Sequence, residues 1–238
     1  VAKTPVGEGM ALDPRSYLTA LDGMPYTDDP TQGYVRGGSY VHPQLGIRFD
    51  APRGFADTTF TGSPRLQDAA EALTSPSNRV LLFALSDGDL RRFTVGDVPE
   101  LRRMMIVSTP KVYEREGVTA NSFARLSAGL LAEAGAPAGD ANYLAFLDNH
   151  PPGQSRALAQ IAKQPDVTSI LLGTRLPPKN PSRDEKPQYL LSTSSLLLVR
   201  GRALHLAVHS GYDSPADVEW IRGVTARWIE ELKRLNGR

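Results

Sequence analysis

The chain has 238 residues, with 27 Lys and Arg against 26 Asp and Glu, so its formal net charge is only +1; that balance lacks the basic excess that marks a nucleic-acid surface. It has no cysteine, which excludes disulfides, thiol catalysis, Cys-ligated zinc and iron–sulfur clusters. At 40% apolar and 22% charged residues it has the make-up of an ordinary globular protein of one large domain, and its apolar runs, such as Leu196 to Val199, are strand-sized, far short of the roughly 20 residues of a membrane-spanning helix.

In chain order, residues 1–38 hold six Gly and four Pro and little regular apolar spacing. They read as an N-terminal extension, with one short helix over Pro14–Leu21 capped by Asp13 and then successive turns through "DGMPYTDDPTQGYVRGG". Because the chain starts at Val1 rather than Met, a removed signal segment and an extracytoplasmic home are the expectation. The main domain is expected over 39–238. In "SYVHPQLGIRFDAPRGF" Ile47 and Phe49 alternate with Arg48 and Asp50, the period of a half-buried strand. Pro52 ends it and Gly54 permits a turn.

"SNRVLLFALSD" and "LRRMMIVSTPKVY" read as interior strands, with Asp87-Gly88 as a turn after the first. "TANSFARLSAGLLAEAGAP" changes to helical spacing: Phe123, Leu126, Leu130 and Leu131 share a face, and Gly135 and Pro137 stop the helix. Residues 141–164 are expected to form two short helices split by "NHPPG". "DVTSILLGTRL" is a strand, followed by the polar, Pro-rich loop "PPKNPSRDEKP", which has no apolar anchor.

"QYLLSTSSLLLVRGRALHLAVHSGYD" predicts a hairpin turning at Arg200-Gly201-Arg202. The final helix has Ser214 as N-cap, Pro215 in the first turn and Asp217 at the positive end of the dipole. Ile221, Val224, Trp228, Leu232 and Leu235 form its apolar stripe, and Gly237 its stop. About six strands joined mainly by hairpins, with few helices, predict an α+β fold: an αβα sandwich around a mainly antiparallel sheet with a long C-terminal helix.

Two segments carry a resemblance. "YVHPQLGIRFDAPRGF" resembles the first strand of PsbP-like domains, and "SSLLLVRGRALHLAVHSGYDSPADVEWIRGVTARWIEELKRLN" resembles their closing hairpin and Trp-containing helix. That fold is shared by the extrinsic photosystem subunit, a eukaryotic Ran-binding import factor and many bacterial proteins. The resemblance covers about residues 40–235 and implies an αβα sandwich that docks onto larger protein complexes. Separately, Tyr17–Phe55, with "DDPTQGYVRG" and "HPQLG", resembles the region after the peptidase domain of bacterial periplasmic zinc metalloproteases. The chain has no His-Glu-x-x-His, so this resemblance implies an accessory domain outside the cytoplasm, without the zinc site.

Several residues bear on chemistry. His205 and His209 are four apart; in a strand they lie about 13 Å apart, too far to share one ion. They read as two histidines on one strand face, one of them at a sheet edge. His42 and His150 each precede Pro and read as loop residues. Ser192, Ser194 and Ser195 are available nucleophiles, but none sits in a Gly-x-Ser-x-Gly elbow. His209, Ser210 and Asp213 are near in sequence, which is no proof of a triad. Asp28 and Asp29 read as turn-capping groups. Trp228 belongs to the core stripe, whereas Trp220, roughly 80° around the helix, falls at its margin. No phosphate-cradling glycine loop is present.

The reading is a binding or assembly protein without enzymatic activity, metal or cofactor, docking to a protein partner in the bacterial envelope. The residues expected to meet that partner are Arg53 in the first turn and Lys179, Arg183 and Lys186 in the long loop. The alternatives are a hydrolase with a serine or carboxylate site, favoured by a histidine bonded to both a serine and a carboxylate, and a small-molecule carrier, which needs a cavity between helix and sheet.

Overall fold

The computed structural model describes residues 34–36, 39–42, 45–50, 54–57, 68, 70–86, 103–113, 117–139, 142–178 and 186–237. The expected helix at Pro14–Leu21, the Asp28-Asp29 and Asp87-Gly88 turns, and Arg53, Lys179 and Arg183 lie outside these residues.

The main sheet has seven strands, all antiparallel: β4 (Phe55–Asp57), β5 (Asn78–Ser86), β6 (Arg103–Pro110), β10 (Arg202–Gly211), β9 (Tyr189–Val199), β8 (Val167–Arg175) and β7 (Ser155–Gln164), in that spatial order. Six are full-length and β4 is a three-residue edge. A separate three-stranded sheet joins β1 (Tyr34–Arg36), β2 (Ser39–His42) and β3 (Ile47–Phe49). The α-helices that lie wholly within the described residues are α1 (Ala120–Ala134), α2 (Tyr143–Asp148) and α3 (Pro215–Asn236).

The β9–β10 hairpin forms as its sequence predicts. Arg200 and Gly201 occupy the turn with φ of 49° and 70°. Two successive positive φ values give the turn that matches the right-handed twist of its strands. Gly accepts that backbone freely, whereas Arg200 is strained there.

Strand alternation then sorts side chains into two faces. Leu191, Leu197 and Val199 of β9, Leu204, Leu206 and Val208 of β10, and Met105 and Val107 of β6 pack in one cluster with Ile221, Val224, Trp228 and Leu232 of α3. Trp228 is the largest fully buried side chain and anchors this layer, as its stripe predicts. Leu147 of α2 belongs to the same cluster. On the opposite face Phe123, Leu126 and Leu130 of α1 pack with Leu196, Leu198 and Ala203. Farther along that face, Ala70 meets Phe83, Leu85, Met104, Ile106 and Ala207. Helix, sheet, helix is the expected αβα sandwich.

The caps explain where the helices start. Thr119 accepts the Ser122 N–H at 3.1 Å, and Asn142 accepts those of Leu144 and Ala145. At α3 the Asp217 carboxylate accepts the Ser214 and Asp213 N–H groups at 3.0 and 2.9 Å. This places negative charge on the positive end of the dipole.

Three expectations need correction. Residues 155–164 form edge strand β7, not a second helix. Its register slips between Ala157 and Ala159 and again between Gln160 and Ala162. Two bulges erase the period-two signal, and the helix-prone Ala, Gln and Lys composition misleads. The expected opening strand over 39–50 is two, because Gly46 (φ 64°) turns the chain between β2 and β3. Ile47 and Phe49 are buried and Arg48 exposed, as the alternation requires. His42 is not a loop residue: it ends β2, fully buried, and its Nδ1 accepts the Leu45 N–H at 3.3 Å.

Candidate functional site

Two places in the fold gather polar side chains. The first is a seam on the α1 face of the central strands. In antiparallel pairing, opposed residues share a face, so the pairs His209–Ser192 and Ala207–Ser194, with His205 beside Leu196, set two histidines and two serines in adjacent rows. His205 is not at an edge, and neither is His209. β10 is the fourth of seven strands, because β6 pairs along its other side across a long sequence gap.

The Ser194 hydroxyl and His205 Nε2 lie 2.6 Å apart. Burial pulls the His205 imidazole down to about 4. His209 is also pulled to about 4, by burial first and then by repulsion from His205. A general base works best with a pKa near the operating pH, so these shifts run against base catalysis at neutral pH. Among the described residues His209 Nε2 has no hydrogen-bond partner. Ser210 is on the other face and bonds the Gly211 carbonyl at 2.9 Å, so His209, Ser210 and Asp213 do not assemble. Ser195 likewise faces away and bonds Ser169 at 2.6 Å. Among the described residues no group of three or more His, Asp or Glu could hold a metal ion.

The second place is a cleft of about 210 Å³ at the foot of the β8–β9 loop, lined by Arg175, Leu176, Pro177, Pro178, Lys186, Pro187 and Gln188, with Pro152 from the turn before β7. Small-molecule pockets commonly enclose about 300–1,000 Å³, so this volume suits one or two protruding side chains. The two limbs of the loop are tied where they leave the sheet: the Leu176 N–H donates to the Gln188 carbonyl at 2.8 Å. The Gly153 N–H donates to the Arg175 carbonyl at 2.8 Å and brings the Pro152 turn alongside.

Arg175 ends β8 and is held from behind. Its guanidinium donates to the His150 carbonyl at 3.0 Å and lies 3.9 Å from the Asp148 carboxylate. The Tyr189 hydroxyl donates to the same carboxylate at 2.5 Å. Burial, with that bond and the charge of Asp148, pushes the Tyr189 hydroxyl up to about 12, so it stays protonated and Asp148 stays engaged. His150 is a loop residue, as expected; its Nδ1 meets the Phe146 carbonyl at 2.7 Å.

Of the four residues expected to meet a partner, Lys186 lines this cleft and is exposed. Sequence reading missed Arg175, Pro152 and the Asp148–Tyr189 support, because they come from three segments joined only by the fold. The one usable signal was Arg175 placed just before "LPP". Trp220 sits at the helix margin as expected, under the Arg103 guanidinium at 4.1 Å and 6.0 Å from the Phe55 ring. No described helix is long and apolar enough to cross a membrane. No protein-family model matches the chain, and no curated protein does.

Proposed function

We propose that this chain is a non-enzymatic docking domain of the PsbP-like kind, an accessory part of a larger protein complex in the bacterial envelope. The envelope and family parts of the proposal rest on the two sequence resemblances. The observation that carries the docking part is the cleft at the foot of the Pro-rich β8–β9 loop, where Lys186 meets the rigid ends of two strands. In this reading Lys179, Arg183 and Arg53 extend the contact. Against a carrier, the space between α3 and the sheet is filled by Trp228, Leu204, Leu206 and their neighbours.

The test is a photo-crosslinking residue at Pro178, with one at Glu230 on the exposed side of α3 as control, introduced in the native cells. A specific protein adduct at Pro178 and none at Glu230 is expected. Absence of any specific adduct at Pro178 overturns the docking reading. The hydrolase reading has one observation in its favour, the Ser194–His205 hydrogen bond. Labelling of wild type by a serine-directed phosphonate, lost in Ser194→Ala, would replace docking with catalysis.

A further inference from the structure

The cleft has a chemistry more specific than a general docking surface. Pro152, Pro177, Pro178 and Pro187 contribute to its walls, and each fixes its own φ near −65°. Leu176 adds apolar surface between them. The cross-links Leu176–Gln188 and Gly153–Arg175 hold three chain segments in place, so little order has to be acquired on binding.

Among the described residues that line the cleft, Arg175 and Lys186 are charged and none is a carboxylate. Asp148, which pairs with Arg175, is also held by the Tyr189 hydroxyl. Lys186 has no acceptor among the described residues. It shares the cleft with Arg175, whose guanidinium is already oriented by the His150 carbonyl. A planar guanidinium beside a flexible ammonium is suited to a carboxylate. The prolines and Leu176 supply the apolar contact that a single free anion would leave unused.

Resting on the docking reading above, we infer that the cleft receives an extended acidic segment of the partner protein, with one carboxylate between Arg175 and Lys186 and a flanking apolar side chain against the proline walls. The near-neutral charge of the whole chain makes this a local complementarity, not a general affinity for polyanions.

The experiment pans a phage-displayed library of random peptides on the full chain, with Lys186→Glu as counter-target. The enriched peptides are then synthesised and measured in solution, as Asp/Glu and as Asn/Gln versions. The inference expects enriched peptides with an acidic residue next to an apolar one. It expects about tenfold weaker binding after amidation of that acid, and a similar loss in Lys186→Glu, whose exposed position leaves folding intact. Arg175→Gln should weaken binding further, with far-UV circular dichroism checking its fold. Enrichment of peptides without acids, equal binding to Lys186→Glu, or no enrichment overturns the inference. If Pro178 still crosslinks to a protein in that event, docking stands and only the acidic chemistry falls. If Pro178 crosslinks to nothing, docking itself has failed.

Discussion

The two faces of the sheet are covered in different ways. α3 spans 22 residues and buries seven of them: Ile221, Val224, Thr225, Trp228, Ile229, Leu232 and Asn236. α1 spans 15 residues and buries only Phe123. Beneath α3, hydroxyls pair as Thr193–Thr225 at 2.8 Å and Ser169–Ser195 at 2.6 Å, although among the described residues the Trp228 indole N–H has no partner. On the α1 face His209 Nε2 and the Ser127 hydroxyl are buried without one among the described residues. Unmatched buried groups lower the free energy of local opening. Among the described residues, α3 therefore bears more of the packing than α1.

The sharpest way to break this contrast is to truncate the anchor of each face. Trp228→Ala should cost about 4–5 kcal/mol and Phe123→Ala about 3 kcal/mol in chemical denaturation, the two ends of the range for buried aromatics. Equal costs would mean that both helices bear on stability alike.

A smaller effect is expected where α3 holds the second sheet. The Asn236 side chain accepts the Arg48 N–H at 2.7 Å and donates to the Arg48 carbonyl at 2.9 Å and the Leu232 carbonyl at 2.7 Å. It completes the free edge of β3 as a strand would. Asn236→Ala should cost about 1–3 kcal/mol and expose the Arg48 amide to hydrogen exchange while amides of β9 and β10 stay protected. Unchanged exchange at Arg48 would remove this clamp from the account.

A last contrast separates the faces by pH. His205 and His209 titrate at about 4 in the folded chain against about 6.5 unfolded. Between those values the unfolded state binds more protons, so their contribution to stability is present above about pH 6.5. It is lost as pH falls towards about 4. The double variant His205→Gln/His209→Gln should lose less stability than wild type between pH 6.5 and 4. Parallel stability curves for the two proteins would show that the seam is solvated and carries no strain.

How much of this was readable in advance depended on whether the signal was local. The final helix was legible in full, since Ser214, Pro215 and the stripe through Trp228 act within one element. So was the β9–β10 hairpin, since its turn chemistry sits in Arg200-Gly201. Edge strand β7 was not, because its bulges take their meaning from pairing with β8.

The cleft was legible only at Lys186. Periodicity, caps and turns are properties of neighbouring residues, and they determine which segments become strands or helices and which side of each is apolar. Strand order is a contest among distant pairings. It alone placed His205 at the centre of the sheet, the Asn236 side chain on β3, and Arg175 beside Pro152 and Lys186. Those placements come from closing the loops between elements, a free energy shared by the whole chain and written in no single stretch of it.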